Sequence, residues 1–158
     1  MPSGKIHLRI EVVALALCIG VLLLVRNAIA IRTAFIVLFS ISYCVSMLLL
    51  SPDLDLADSR ATRRWGPLRF LWFPYAALFK HRQISHQLLL GPLTRILYFL
   101  ALLLGIAYLA VAAVGLVMPI SSPPRWALAP VALGLYLPNV IHILADRVHT
   151  ATKHRDRR

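Results

Sequence analysis

The chain has 158 residues, 59% of them hydrophobic, and a formal net charge of +11; its mean hydropathy is +0.76. Soluble domains run at roughly 45–50% apolar residues, so an ordinary water-soluble enzyme is excluded and an integral membrane protein is indicated. The length suits one bundle rather than two domains. The positive charge does not indicate a nucleic-acid binder, because the basic residues flank apolar runs and form no stripe interleaved with aromatics.

The first predicted span runs from Ile10 to about Ala30, preceded by Lys5, His7 and Arg9. Its uncharged core is only Val12–Val25, so Arg26 must snorkel outward. A secretory leader is the competing reading. The basic residues precede an apolar stretch, and Ala28-Ile29-Ala30 resembles a small-x-small cleavage site. Glu11 weakens such a leader, and the short join to the next span favours retention. The second span is Thr33–Leu50, and the tight connection predicts an antiparallel hairpin. Cys18 and Cys44 lie inside these runs without a C-x-x-C partner and read as small apolar core residues.

A polar loop, 51–95, follows. It opens with Ser51-Pro52-Asp53-Leu54-Asp55. Pro52 helps to stop the helix, and an extended D-x-D can aim two carboxylates at one cation; taken alone, it equally reads as a solvated cap. The segment Arg63–Phe79 holds six aromatics (Trp65, Phe70, Trp72, Phe73, Tyr75 and Phe79), broken by Gly66, Pro67 and Pro74. Trp and Tyr favour the membrane–water boundary. A short interfacial helix is expected here, either as a lid over a site or as a plain anchor. Next comes His81-Arg82-Gln83-Ile84-Ser85-His86. Five residues apart on a helix, the two histidines would diverge by roughly 140°, so a turn near Ser85 is needed to point both inward.

The third span is Ile96–Met118 and the fourth Trp126–Ala145, each near the ~20 residues that cross roughly 30 Å of hydrocarbon. Pro138 can kink the fourth span. His142 and Asp146, four apart, share a helical face, with Asn139 on the same side. Either both are ligands, or Asp146 holds the imidazole in its tautomer, or His142 is simply a histidine favoured at a helix end. A basic tail, 147–158, closes the chain.

The expected fold is therefore all-α: one integral-membrane domain, 1–158, forming a four-helix bundle with an interfacial helix between spans two and three. Four spans put the N-terminus, the polar loop and the tail on one side, with 14 of the 17 basic residues. Only Arg26, Arg32 and Arg125 fall on the other. The positive-inside tendency makes the crowded side cytoplasmic, with both termini there, and the plasma (inner) membrane the location. The basic clusters either set this topology or meet anionic head groups at about 1 kcal/mol per charge. Membrane lipids are thus the expected partners, and nucleic acid is not.

Asp53, Asp55, His81, His86, His142 and Asp146 all fall at span ends on that side. Three imidazoles and three carboxylates suit zinc, manganese or iron better than calcium. A catalytic zinc ordinarily takes three protein ligands plus water, so six candidates mean two ions or some groups that support the ligands.

The segments SPDLDL, RRWGPLRFLWFPYAALFKHRQISHQLLLGPLTRILY and HILAD resemble a family of uncharacterised metal-binding membrane proteins. They are also similar to the bacterial inner-membrane metal-dependent hydrolase family, with its P-D-x-D, H-R-x-x-x-H and H-x-x-x-D pattern. The resemblance covers about Ser51 to Asp146. It implies metal ligands at Asp53, Asp55, His81, His86, His142 and Asp146.

As an enzyme, the protein would use a metal-activated water, with Asp55 or Asp146 moving the proton. Arg82 and Lys80 would hold an anionic group such as a phosphate, and a phosphoester or anionic lipid is the expected substrate. The alternative is a non-catalytic metal-binding or structural membrane protein. A metal-free lipid phosphatase of the type-2 phosphatidic-acid phosphatase kind is disfavoured. Leu135 and Tyr136 stand where Ser-Arg is required, and Ser85-His86 lacks its Pro and Gly context. No G-x-S-x-G or H-E-x-x-H occurs. A transporter is a weaker reading, because the polar residues cluster at one end rather than at mid-membrane.

Overall fold

A computed structural model of the chain describes residues 4–56, 59–79, 87–115 and 122–155. The described residues are mostly helical, with no strand among them: α1 (Gly4–Val25), α2 (Thr33–Leu49), a 3-10 turn (Pro52–Asp55), α3 (Arg60–Arg64), a second 3-10 stretch (Gly66–Trp72), α4 (Phe73–Leu78), α5 (Leu90–Val114) and α6 (Arg125–Arg155). Four of these, α1, α2, α5 and α6, are long and apolar enough to cross a membrane.

The boundaries depart from expectation in a way that matters. The first helix starts at Gly4 and ends at Val25; residues 26–30 form a turn rather than its last part. The backbone reverses there with Ala30 at a φ of 51°, a left-handed conformation uncommon for a residue with a side chain. The third helix begins at Leu90 and the fourth continues to Arg155, each well beyond the purely apolar run. Hydrogen bonding does not stop where charge begins, because Lys and Arg are good helix formers.

The α2 helix ends with Leu50 N–H still bonded to the Ser46 carbonyl at 2.9 Å, after which Ser51-Pro52 turns the chain. The α5 helix ends at Gly115, whose φ of 68° supplies a left-handed cap, with its N–H on the Val111 carbonyl at 2.9 Å.

Helices α2 and α6 form the central pair. They approach most closely at Gly134, where a Cβ would stand 2.6 Å from the Phe39 carbonyl oxygen and 2.9 Å from the Tyr43 nitrogen. Only glycine permits that approach. Around it pack Phe39, Tyr43 and Met47, with Leu8, Leu15, Cys18 and Leu22 from α1 and Leu137 and Ile141 from α6. Both cysteines are free and half-buried.

The aromatic loop has two faces. Trp72 and Tyr75 are fully buried in a core with Leu50, Leu54 and Ala61. Trp72 meets Trp65 edge-on at 5.3 Å and Tyr75 at 5.6 Å. Phe70, Phe73 and Leu78 point outward and are exposed. The loop is thus tied to the helix ends, while its other side offers apolar groups to the surroundings. It also caps α2: Trp65 Nε1 donates to the Leu49 carbonyl (3.0 Å) and Arg64 Nη1 to the Leu48 carbonyl (3.2 Å).

Arg95, counted in the sequence among topology-setting charges, is instead fully buried. Its Nη1 donates to the Leu50 carbonyl at 3.2 Å and to Asn139 Oδ1. Asn139 Nδ2 donates in turn to Ser46 Oγ (2.9 Å) and the Leu135 carbonyl (3.0 Å). A buried guanidinium is tolerated only when its donors are matched. These bonds pin α5, α6 and the end of α2 together and so set where the Pro52–Asp55 turn begins.

Candidate metal centre

Helix α1 carries His7 and Glu11, and α6 carries His142 and Asp146. Each pair is four residues apart and therefore on one face. The helices run antiparallel here, so the pairs interlock. His7 Nε2 lies 3.1 Å from Asp146 Oδ1, and His142 Nδ1 lies 2.8 Å from Glu11 Oε1. The two imidazoles stack, with centroids 3.9 Å apart and planes inclined by 12°. All four residues are buried.

The 3-10 turn brings a third segment to the site. Asp53 Oδ2 lies 3.8 Å from His142 Nε2, and Asp146 Oδ2 lies 4.0 Å from the same nitrogen. His142 thus presents Nδ1 to one carboxylate and Nε2 toward two others. Beside it is a small cavity whose polar walls are His7, Glu11, Ser51, Asp53, Arg60, Arg64 and His142. Arg60 and Arg64 come from α3, the short helix that follows the Asp53 turn.

His7, His142 and Asp146 each offer a ligand atom, all within 4.8 Å of one another. Zinc–nitrogen and zinc–oxygen bonds are about 2.0–2.2 Å, so a small inward adjustment accommodates one ion. Two imidazoles and a carboxylate match borderline transition metals. The Nδ1 atom of His7 is buried and has no hydrogen-bond partner among the described residues. Such an atom normally finds a partner, and a bound cation that reorganised His7 would relieve it. The residues present fit a divalent metal.

Of the residues expected from sequence, Asp53, His142 and Asp146 come together. Asp55 is buried on the same turn but is not among the cavity walls; it lies within electrostatic reach of Arg95. His81, His86, Lys80 and Arg82 lie outside the described residues. His7 and Glu11 were not expected. The signal was present, since H-x-x-x-E at 7–11 mirrors H-x-x-x-D at 142–146. It was masked because Lys5, His7 and Arg9 read as a charged leader ahead of the membrane run.

Comparison with known proteins adds the family. An uncharacterized protein of Aquifex aeolicus (strain VF5) is 45% identical over 60 residues, which is 38% of this chain and 43% of that protein. The matched region therefore spans less than half of that relative. No solved structure matches. A family model matches residues 2–156, nearly the whole sequence including the helix that bears His7 and Glu11, and the chain belongs to the family described as uncharacterized metal-binding protein (DUF2227).

Proposed function

We propose that the chain is a multi-pass membrane protein acting as a metal-dependent hydrolase on an anionic, phosphoester-bearing substrate. The observation that carries this reading is the buried convergence of His7, His142 and Asp146 beside a cavity that also receives Asp53, Arg60 and Arg64.

In this reading His7, His142 and Asp146 hold a divalent transition metal, zinc by its donor preference. When bound, the ion supplies Lewis acidity and brings the pKa of water toward neutrality. The rest falls to the chain. Asp53 is about a quarter exposed, 26% for its side chain, so it can exchange protons with solvent, and it is the better general base than Asp55. Asp146 is engaged with His7 and serves binding. Arg60 and Arg64, on the cavity wall, attract and orient an anionic group. Lys80 and Arg82 remain candidates for the same task. The apolar outer side of the aromatic loop and the basic residues around it suit an anionic leaflet, with the loop and both termini cytoplasmic in the plasma membrane.

The second reading is a non-catalytic metal-binding or structural protein. It is favoured by the mutual pairing of the four buried side chains, which tie α1 to α6 and leave little open volume.

Detergent-purified protein should contain about one divalent ion per chain and turn over a phosphoester, and both should be lost in His142→Ala. Stoichiometric metal without turnover of soluble or lipid phosphoesters would leave the second reading. No bound metal in the wild type would remove the hydrolase and the metal-binding readings and leave only a structural role.

A further inference from the structure

We infer that Glu11 is the positioning residue of this centre: its carboxylate fixes the tautomer and the orientation of His142, so that Nε2 faces the cation. The inference rests on the metal-binding reading above.

The argument is geometric. Glu11 Oε1 lies 2.8 Å from His142 Nδ1, and both side chains are almost fully buried. In this inference Glu11 is ionised; its carboxylate then only accepts a hydrogen bond, which puts the proton on Nδ1 and leaves the lone pair on Nε2. Nε2 is the nitrogen directed at Asp53 and Asp146, the side on which the other donors gather. The two nitrogens of an imidazole point in divergent directions. An ion on Nε2 therefore lies away from the Glu11 oxygen that holds Nδ1. Glu11 acts through His142 rather than as a ligand.

Glu11 is itself held in place. Its backbone carbonyl accepts a 3.0 Å hydrogen bond from the hydroxyl of Tyr43, which is fully buried on α2. Glu11 thus meets Tyr43 of α2 through its backbone and His142 of α6 through its side chain. The stacked His7 ring limits tilting of the imidazole, while Glu11 stops it from spinning or exchanging its proton to Nε2. Carboxylate partners of metal-bound histidines do this elsewhere, and their loss typically weakens metal affinity by 10–100-fold.

The test uses the full chain in detergent, titrated with Co2+ and followed by its visible d–d spectrum, with circular dichroism to check folding. E11A should bind Co2+ about 10–100-fold more weakly with an altered spectrum. E11Q, whose amide oxygen still accepts from Nδ1–H, should lose less and keep the wild-type spectrum. Tyr43→Phe should weaken binding less than E11A. H142A should not bind. Wild-type affinity in E11A overturns the inference. Complete loss in both E11A and E11Q, matching H142A, overturns it in favour of direct ligation. A wild type that binds no Co2+ overturns the metal reading and this inference together, whereas normal wild-type binding with an unaffected E11A removes this inference alone. If E11A does not fold, E11Q decides: reduced affinity with the spectrum kept is expected, and unchanged affinity overturns it.

Discussion

His142 is the residue on which the site turns, because its two nitrogens serve different partners. Removing its imidazole takes away one donor and strands Glu11 in a buried place. His142→Ala and His7→Ala are each expected to lose the metal, measured by elemental analysis of purified protein. His149→Ala is the matched control. It sits on α6 beside the apolar groove formed with Ile6 and Ile10, outside the cluster, and its metal content should equal the wild type. Asn139 carries a different load. Replacing it with Ala removes one acceptor from the buried Arg95 guanidinium and should cost about 1–3 kcal/mol in thermal stability. At this scale the sequence was informative where a period reveals partnership. His142 and Asp146 stand one turn apart within an uninterrupted helix, and Asp53 follows a proline stop. It was uninformative where a side chain's ordinary role differs from its local one. His7 resembled part of a basic leader, Glu11 resembled a charge near a span end, and Arg95 resembled a charge left outside. Only packing tells a guanidinium that binds Leu50 and Asn139 from one bathed in water.

The elements explain why the boundaries moved while the architecture stayed all-α. Apolar runs mark where a helix contacts hydrocarbon, not where its hydrogen bonding stops. Helices α1 and α6 therefore carry their polar site residues in continuous helix rather than in flanking loops, which gives those residues rigid positions. The α2–α6 contact depends on Gly134. Gly134→Ala would drive a methyl against the Phe39 carbonyl and should destabilise the protein by about 1–3 kcal/mol, read as a lower melting temperature in detergent. It should also reduce metal content, since α6 bears two of the donors. The sequence reads the aromatic loop as an interfacial element, whereas the structure makes one side of it a core. Its period is irregular, and only the fold sends Trp72 and Tyr75 inward while Phe70 and Phe73 face out. Trp72→Ala should cost about 3–5 kcal/mol by thermal unfolding, whereas Phe70→Ala, at an exposed position, should cost much less and instead weaken retention on vesicles.

For the molecule as a whole, a metal at the proposed centre would be coupled to the fold, because the proposed donors lie far apart in the sequence. A ligand bound only by the native state adds about 2.7 kcal/mol at a hundredfold excess over its Kd. Chelation should therefore lower the melting temperature of the wild type and leave that of His142→Ala unchanged.

The clasp between α1 and α6 also has a consequence for biogenesis. Glu11 and His142 are 131 positions apart. During synthesis, α1 emerges bearing an imidazole and a carboxylate long before their counterparts leave the ribosome. Such contacts between distant segments form late. Until α6 forms, the nascent first helix carries two polar groups whose counterparts do not yet exist, so a chain stalled before residue 142 should lack the clasp that ties α1 to α6.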